Sequence, residues 1–287
     1  MNCIIYKDPA DFLDVCCPAL EAHEALYNLL LGIAIRLVGN PLFYGSQPLL
    51  ASVIDGDKPS LAALMTPPYK LQLAAFKTQS MGSIKLLASE IHKYAWHVPG
   101  VMGVEKAAKA FATYWNEIAG TSSHEGMRQR IYKLQKVNPI QYPEGSFRQA
   151  TIDDLDRAIK WGHSFHADCF GDSGHPEIDD HQIKTMIEVG NLFFWNDPEP
   201  VSMAALTRPT LHGISVSFVY TPPEFREKGY ASAVVAKLSQ QCLDEGREFC
   251  TLYTDLSNPT SNSIYRRIGY SPVADVMDFH FSDVKNK

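Results

Sequence analysis

From Phe218 to Gly246 the chain reads FVYTPPEFREKGYASAVVAKLSQQCLDEG, an apolar strand end, two prolines, a polar stretch and then a helical pattern. Ala231, Val234, Val235, Leu238 and Cys242 recur at helical spacing as one apolar stripe, with Gly246 as the stop. A second run, FCTLYTDLSNPTSNSIYRRIGYSPV, predicts a strand over Phe249 to Thr254 and a short helix entered through Asn258-Pro259 and ended at Gly269. On that helix Asn258, Ser261 and Tyr265 share a face. Upstream, FRQATIDDLDRAIKWGHSFHADCF predicts a strand and a capped helix, and NLFFWNDPEPVSMAALTRP a hairpin with Asp197-Pro198 near its turn.

The N-terminal half repeats this outline faintly. CIIYKDPADFLDVCCPAL predicts a strand leading into a helix, PLLASVIDGDKPSLAALMTPPY a hairpin turning at Asp55-Gly56, and VEKAAKAFATYWNEIAG a helix ending at Gly120. With 287 residues the chain has the length of two ordinary domains. The segment KVNPIQYPEGS, Lys136 to Ser146, separates patterned stretches with two prolines and a glycine, so the expected domains are 1–140 and 145–287.

The stretch Arg226-Glu227-Lys228-Gly229-Tyr230-Ala231 puts a glycine-bearing, partly basic loop at a helix start. The first backbone N–H groups of a helix lack intrahelical partners and carry the positive end of its dipole, so the expected guest is an anion such as a phosphate. Together the two motif runs resemble the acetyl-CoA-binding half of the GNAT superfamily of N-acetyltransferases: an Arg-x-x-Gly-x-Ala pyrophosphate loop, then an Asn-x-x-Ser-x-x-x-Tyr-x-x-x-Gly-Tyr helix. The resemblance covers the last half of the chain. It implies two tandem GNAT-like domains of α+β class, each a mixed, mostly antiparallel central sheet flanked by helices. The first would be a degenerate copy, because FKTQSMGSIKLLASEIHKY lacks an Arg or Gln followed at the right spacing by Gly and Ala.

What the resemblance implies for the site can be stated by residue. The main chain of Val219, Tyr220 and Thr221 would meet the pantetheine of acetyl-CoA as an added strand. The loop Arg226, Glu227, Lys228, Gly229, Tyr230 and Ala231 would hold its pyrophosphate, and Asn258 and Ser261 would line the opposite wall. An acceptor amine would attack the thioester directly, with the main-chain N–H near Val219 stabilising the oxyanion and Tyr265 protonating the leaving thiolate. The run ISVSFV has no carboxylate to serve as base, which leaves Glu224, Asp255 and His212 open, each with an ordinary structural reading beside it. His163 and His166 share a helix face without further ligands at metal spacing, so no metal is expected.

Charge and cysteine usage narrow the remainder. A net charge of −6 with interspersed signs and no basic stripe argues against nucleic acid and favours a cationic substrate, and the expected acceptor is a small-molecule amine. Six cysteines without a Cys-x-x-Cys pair read as reduced core thiols in a cytoplasmic protein. The apolar run ALYNLLLGIAIRLV is too short to span a bilayer and no signal-peptide pattern is present, so no membrane association is expected. Monomer and homodimer both remain compatible with the sequence. The alternative to an enzyme is a non-catalytic acyl-CoA-binding or regulatory protein with the same fold.

Overall fold

The computed structural model describes residues 1–77, 81–171 and 179–283. Its first ten elements are β1 (Asn2–Tyr6), α1 (Pro9–Glu21), α2 (Asn28–Gly39), β2 (Leu49–Asp55), β3 (Lys58–Met65), β4 (Leu71–Ala75), α3 (Met81–Lys93), β5 (Gly100–Val104), α4 (Glu105–Ala119) and β6 (Thr121–Leu134). The next ten are β7 (Ser146–Gln149), α5 (Leu155–Phe170), α6 (Asp180–Glu188), β8 (Leu192–Asn196), β9 (Pro200–Thr207), β10 (Gly213–Tyr220), α7 (Tyr230–Asp244), β11 (Phe249–Asp255), α8 (Pro259–Ile268) and β12 (Ser271–Asp283). Setting aside two short 3-10 turns, the order βααβββαβαβ occurs twice, so the faint repetition of the sequence is a repetition of the fold.

Two compact units result, one of residues 1–130 with 274–287 and one of residues 131–273. The Lys136–Ser146 segment therefore lies inside the second unit, and the C-terminal strand belongs to the first. In the first unit β1 to β4 are successively antiparallel, β4 and β5 are parallel, and β5 pairs antiparallel with β12 through Val104↔Val276 to Gly100↔His280. One side of this sheet is packed by α1 and α2 through Phe12, Leu20, Leu31 and Leu37. The other side is packed by α3 and α4 through Leu87, Ile91, Phe111 and Trp115. The turn of the first hairpin is Gly56-Asp57, closed by the Asp55↔Lys58 pair, one residue on from the Asp55-Gly56 its sequence predicts.

The second unit has the same plan. Antiparallel pairs join β7 to β8, β8 to β9 and β9 to β10, and β10 pairs parallel with β11. Trp161, Ile183 and Ile187 of α5 and α6 cover one side, while Val234, Leu238 and Cys242 of α7 and Ile268 of α8 cover the other. The start of α5 is fixed by a capping box between Thr151 and Asp154. Arg148 grips the same Asp154 with two bonds of 2.7 and 2.8 Å, which holds that carboxyl below its ordinary range. Each unit is thus a mixed, mostly antiparallel sheet between helices, the α+β class expected.

Not every thiol is in a core. All six cysteines are free, and Cys16, Cys242 and Cys250 are buried, but Cys3 and Cys17 are only partly covered and Cys169 is exposed. The expectation of core thiols fails for Cys169, which stands in the last turn of α5, beyond the buried Ala158, Trp161 and Gly162.

Candidate functional site

The parallel junction of the second unit opens along its length. β10 and β11 pair only over Gly213↔Phe249, Ile214↔Cys250 and Ser215↔Thr251, so the remaining residues of both strands diverge. On its other edge β10 loses register with β9 between Ser217↔Ala205 and Tyr220↔Met203, where one extra residue is accommodated. Phe218 takes up the bulge with φ +53 and turns its ring onto Phe165 of α5 at 5.3 Å. The far ends of β10 and β11 are thus left unpaired with each other, and β11 runs on toward the start of α8.

Beyond β10 the chain makes the predicted loop. Glu227 and Gly229 stand at φ +66 and +85, and α7 begins at Tyr230 with Gly229 as N-cap and no side-chain cap bond. Alternating left-handed residues turn successive N–H groups toward one side, and an uncapped helix start leaves its donors free for a ligand. A Cβ on Gly229 would meet only Pro143 Cδ at 3.9 Å, so glycine is needed here for its φ and not for space. Arg226 through Gly229 are exposed, whereas Tyr230 is buried. Lys228 rests over the Phe225 ring at 5.7 Å. The Arg226 guanidinium donates to the Thr221 carbonyl at 2.9 Å and to Asp168 Oδ2 at 2.6 Å, tying the loop to the end of α5. The Thr221 hydroxyl bonds Ser202 Oγ at 2.8 Å, and the same serine donates to the Tyr220 carbonyl at 3.2 Å.

Past β11 the chain enters α8. Asn258 Oδ1 accepts from the Ser261 backbone N–H at 3.0 Å, so its side chain is the helix cap anticipated from Asn-Pro. Asn262, which the sequence reading passes over, ties the corner together. It donates to the Asp255 and Asn258 carbonyls at 2.8 and 2.7 Å and accepts from the Tyr132 hydroxyl at 2.9 Å. Its spacing of four from Asn258 is the signal that could have found it. Tyr265 packs against Tyr132 and Tyr270 with ring centroids at 6.5 and 6.0 Å, and its hydroxyl makes no hydrogen bond among the described residues. Burial, then the nearby Cys169, holds the phenol above its ordinary pKa of 10.0, so it is a protonated donor at neutral pH.

Cys169 joins this neighbourhood from α5. Although the residue as a whole is exposed, enough protein surrounds the thiol that burial, with Asp168 and Asp255 adding, raises its pKa to about 11. It is a protonated, unreactive thiol at neutral pH.

The candidate bases stand in different surroundings. Asp255 Oδ1 accepts from the Ser257 N–H at 2.8 Å, the His212 carbonyl accepts from the Glu248 N–H at 2.9 Å, and Glu224 is exposed in a 3-10 turn. His163 pairs with Asp180 Oδ1 at 2.7 Å, while the His166 ring lies 5.0 Å from that of Phe170. Among the described residues no three His, Cys, Asp or Glu side chains are grouped to hold a metal, and no helix is long and apolar enough to cross a membrane.

Comparison with known proteins follows this geometry. Residues 198–276 match the family model described as FR47-like protein. No curated protein matches the chain. Among solved structures, a GCN5-related N-acetyltransferase from Sphaerobacter thermophilus is 16% identical and superposes with a TM-score of 0.58 over 99% of this chain and 98% of its own. A GNAT-family acetyltransferase from Colwellia psychrerythraea gives 13% and 0.56 over 98% and 100%, and a Drosophila protein 12% and 0.67 over 98% of both chains. These identities are low enough that the likeness is one of fold, and the fold extends over both units. The FR47-like match spans the opened strand, the loop and α8, and the fold of the whole chain is the one seen in these GNAT-family acetyltransferase structures.

Proposed function

We propose that this protein is an acetyl-CoA-dependent N-acetyltransferase that passes the acetyl group directly to an amine of a small-molecule acceptor. The observation that carries the reading is the conjunction of the β10–β11 gap with the uncapped α7 start, preceded by left-handed residues at Glu227 and Gly229. An edge opened beside a parallel neighbour suits an extended pantetheine arm bonded by main chain, and the exposed loop amides suit a pyrophosphate. Acetyl-CoA supplies the activated acyl group. The chain's own work is to hold it, to present the Val219 N–H to the developing oxyanion, and to hold a proton on Tyr265 for the departing sulfur. The unpartnered Tyr265 hydroxyl fits that last role better than a packing role, since a purely structural buried phenol ordinarily finds a partner.

In this reading the second unit carries the cofactor cleft and the first descends from a similar unit without a phosphate loop. The repeated element order supports it, although Thr78, Gln79 and Ser80, in the stretch where that loop would stand, lie outside the described residues. Free cysteines fit a reducing, cytoplasmic setting, and the acidic balance fits a cationic small molecule in preference to nucleic acid. No metal is invoked.

Calorimetric titration of the full chain with acetyl-CoA, beside a folded Gly229→Glu variant, tests the reading. One binding event per chain, lost in the variant, supports it and justifies screening amines for release of free thiol. Two events would give the first unit a cleft of its own. Binding without thiol release from any amine would favour the non-catalytic acyl-CoA-binding alternative, and no binding at all would sink the proposal.

A further inference from the structure

The first residue of α7 is held from outside the loop. Tyr230, only 7% exposed, directs its hydroxyl to Asp197 Oδ2 at 2.5 Å. Asp197 stands in the turn between β8 and β9, where its own N–H donates to the Glu199 carbonyl at 2.7 Å. That turn is itself braced. Trp195 Nε1 donates to the Glu144 carbonyl at 2.9 Å, and the Trp195 ring stacks on Tyr142 at 6.0 Å with 12° between planes. Lys237 of α7 covers the outer side of Tyr142 at 4.7 Å. At Gly145, with φ +116, a Cβ would overlap the Asn196 carbonyl, so the strap of residues 142–145 can lie this close only as glycine.

This construction runs against simple electrostatics. Asp197 and Glu144 both act on Tyr230, whose phenol is raised in pKa first by the bond to Asp197, then by burial and by the two carboxylates. Acidic groups beside a helix N-terminus compete with a bound anion, so their presence next to an anion loop calls for a compensating purpose. That purpose is geometric. The left-handed backbone of Glu227 is costly for a residue other than glycine and persists only where surrounding structure holds it. The loop amides of residues 226–231 have no side-chain cap to hold them, whereas a charge-assisted bond from the residue that opens the helix does so from behind.

We propose that Asp197 is a positioning residue for the anion-binding loop, acting through the Tyr230 hydroxyl to fix the first turn of α7 before the ligand arrives. The inference rests on the proposed function, since it concerns how the same loop is preorganised.

The test is calorimetric titration of the full chain with CoA for wild type, Tyr230→Phe, Asp197→Ala, Asp197→Asn and the Tyr230→Phe/Asp197→Ala double variant, each with a melting curve. Loss of one charge-assisted bond predicts roughly tenfold weaker CoA binding for Tyr230→Phe and for Asp197→Ala. Asp197→Asn, which keeps an acceptor oxygen, should recover most of the affinity. The double variant should be no weaker than either single one, because both remove the same bond. The KM for the amine should stay within twofold. Wild-type CoA affinity in Tyr230→Phe and Asp197→Ala, with or without a lower Tm, would make the contact mere packing, and fully additive losses would equally overturn the proposal. A wild-type protein that fails to bind CoA is a different result: it removes the proposed function, and this inference falls with it.

Discussion

Phe218 and Phe165 stack with ring centroids 5.3 Å apart and planes 24° from parallel, and Phe218 does so from a left-handed backbone at φ +53. For an aromatic residue that backbone costs about 1–2 kcal/mol, while an aromatic pair returns about 0.5–1.5 kcal/mol beyond its buried area. The stack therefore holds the bulge at which β10 shifts its register against β9. Phe218→Gly should be more stable than Phe218→Ala by about 1 kcal/mol, because both lose the stack and only glycine escapes the φ cost. Urea unfolding of the two variants measures the difference, and the reverse order would mean that residue 218 is not left-handed in solution.

For Tyr265 the expected change lies in turnover alone. Tyr265→Phe should leave acetyl-CoA binding within twofold and lower kcat by roughly 10². Because burial raises the phenol above 10.0, the wild-type rate should show no alkaline decline from this residue at pH values below 10, where it stays protonated. A wild-type kcat in Tyr265→Phe would hand the proton to water.

Asn258 separates two roles by substitution. Its side-chain oxygen caps α8 through the Ser261 N–H, so Asn258→Ala should destabilise the protein by about 1 kcal/mol. Asn258→Asp keeps the capping oxygen and adds favourable charge at the helix start, so it should unfold at or above the wild-type midpoint. If the side-chain amide also touches the cofactor, Asn258→Asp weakens CoA binding while stability holds; titration beside a urea curve reads both.

Much of this was legible because the signals are local. The Asp55-Gly56 and Asp197-Pro198 turns, the Asn258-Pro259 cap and the helix ends at Gly120 and Gly269 each declare themselves within a few residues, and each falls within one residue of its expected place. β6 and β12 do not. From Thr121 to Arg130 the chain is almost wholly polar and partly or fully exposed at every position, so no alternation marks a strand. β12 pairs with β5, whose residues stand more than 170 positions earlier. The strap at Lys136–Ser146 was read as a boundary from its prolines and glycine. Its place in the second unit depends on Tyr142 meeting Trp195 and on Asn138 N–H reaching the Ile268 carbonyl at 2.8 Å, contacts that no window of sequence contains. The same holds for Asp168 and Asp197, whose partners Arg226 and Tyr230 are remote in the chain.

The C-terminal strand is fastened to the first unit by a buried charged cluster, which predicts a pH dependence of stability. Lys70 Nζ lies 2.9 Å from Asp278 Oδ1 and 2.8 Å from His280 Nε2, and the Lys70 and Asp278 side chains are 12% and 4% exposed. A ring nitrogen that accepts from an ammonium must be unprotonated. Consistently, His280 is held below its ordinary 6.5 by burial first and then by Lys70, with His124 adding and Asp278 opposing. The unfolded chain would thus bind a proton near pH 6.5 that the folded chain refuses, so stability is full above that value and falls as pH drops below it. His280→Gln should flatten this acid-side slope, whereas Lys70→Met, by leaving Asp278 buried and uncompensated, should cost about 3–5 kcal/mol at neutral pH. Urea midpoints between pH 5 and 8 measure both effects, and a His280→Gln curve parallel to wild type would assign the acid sensitivity to another group.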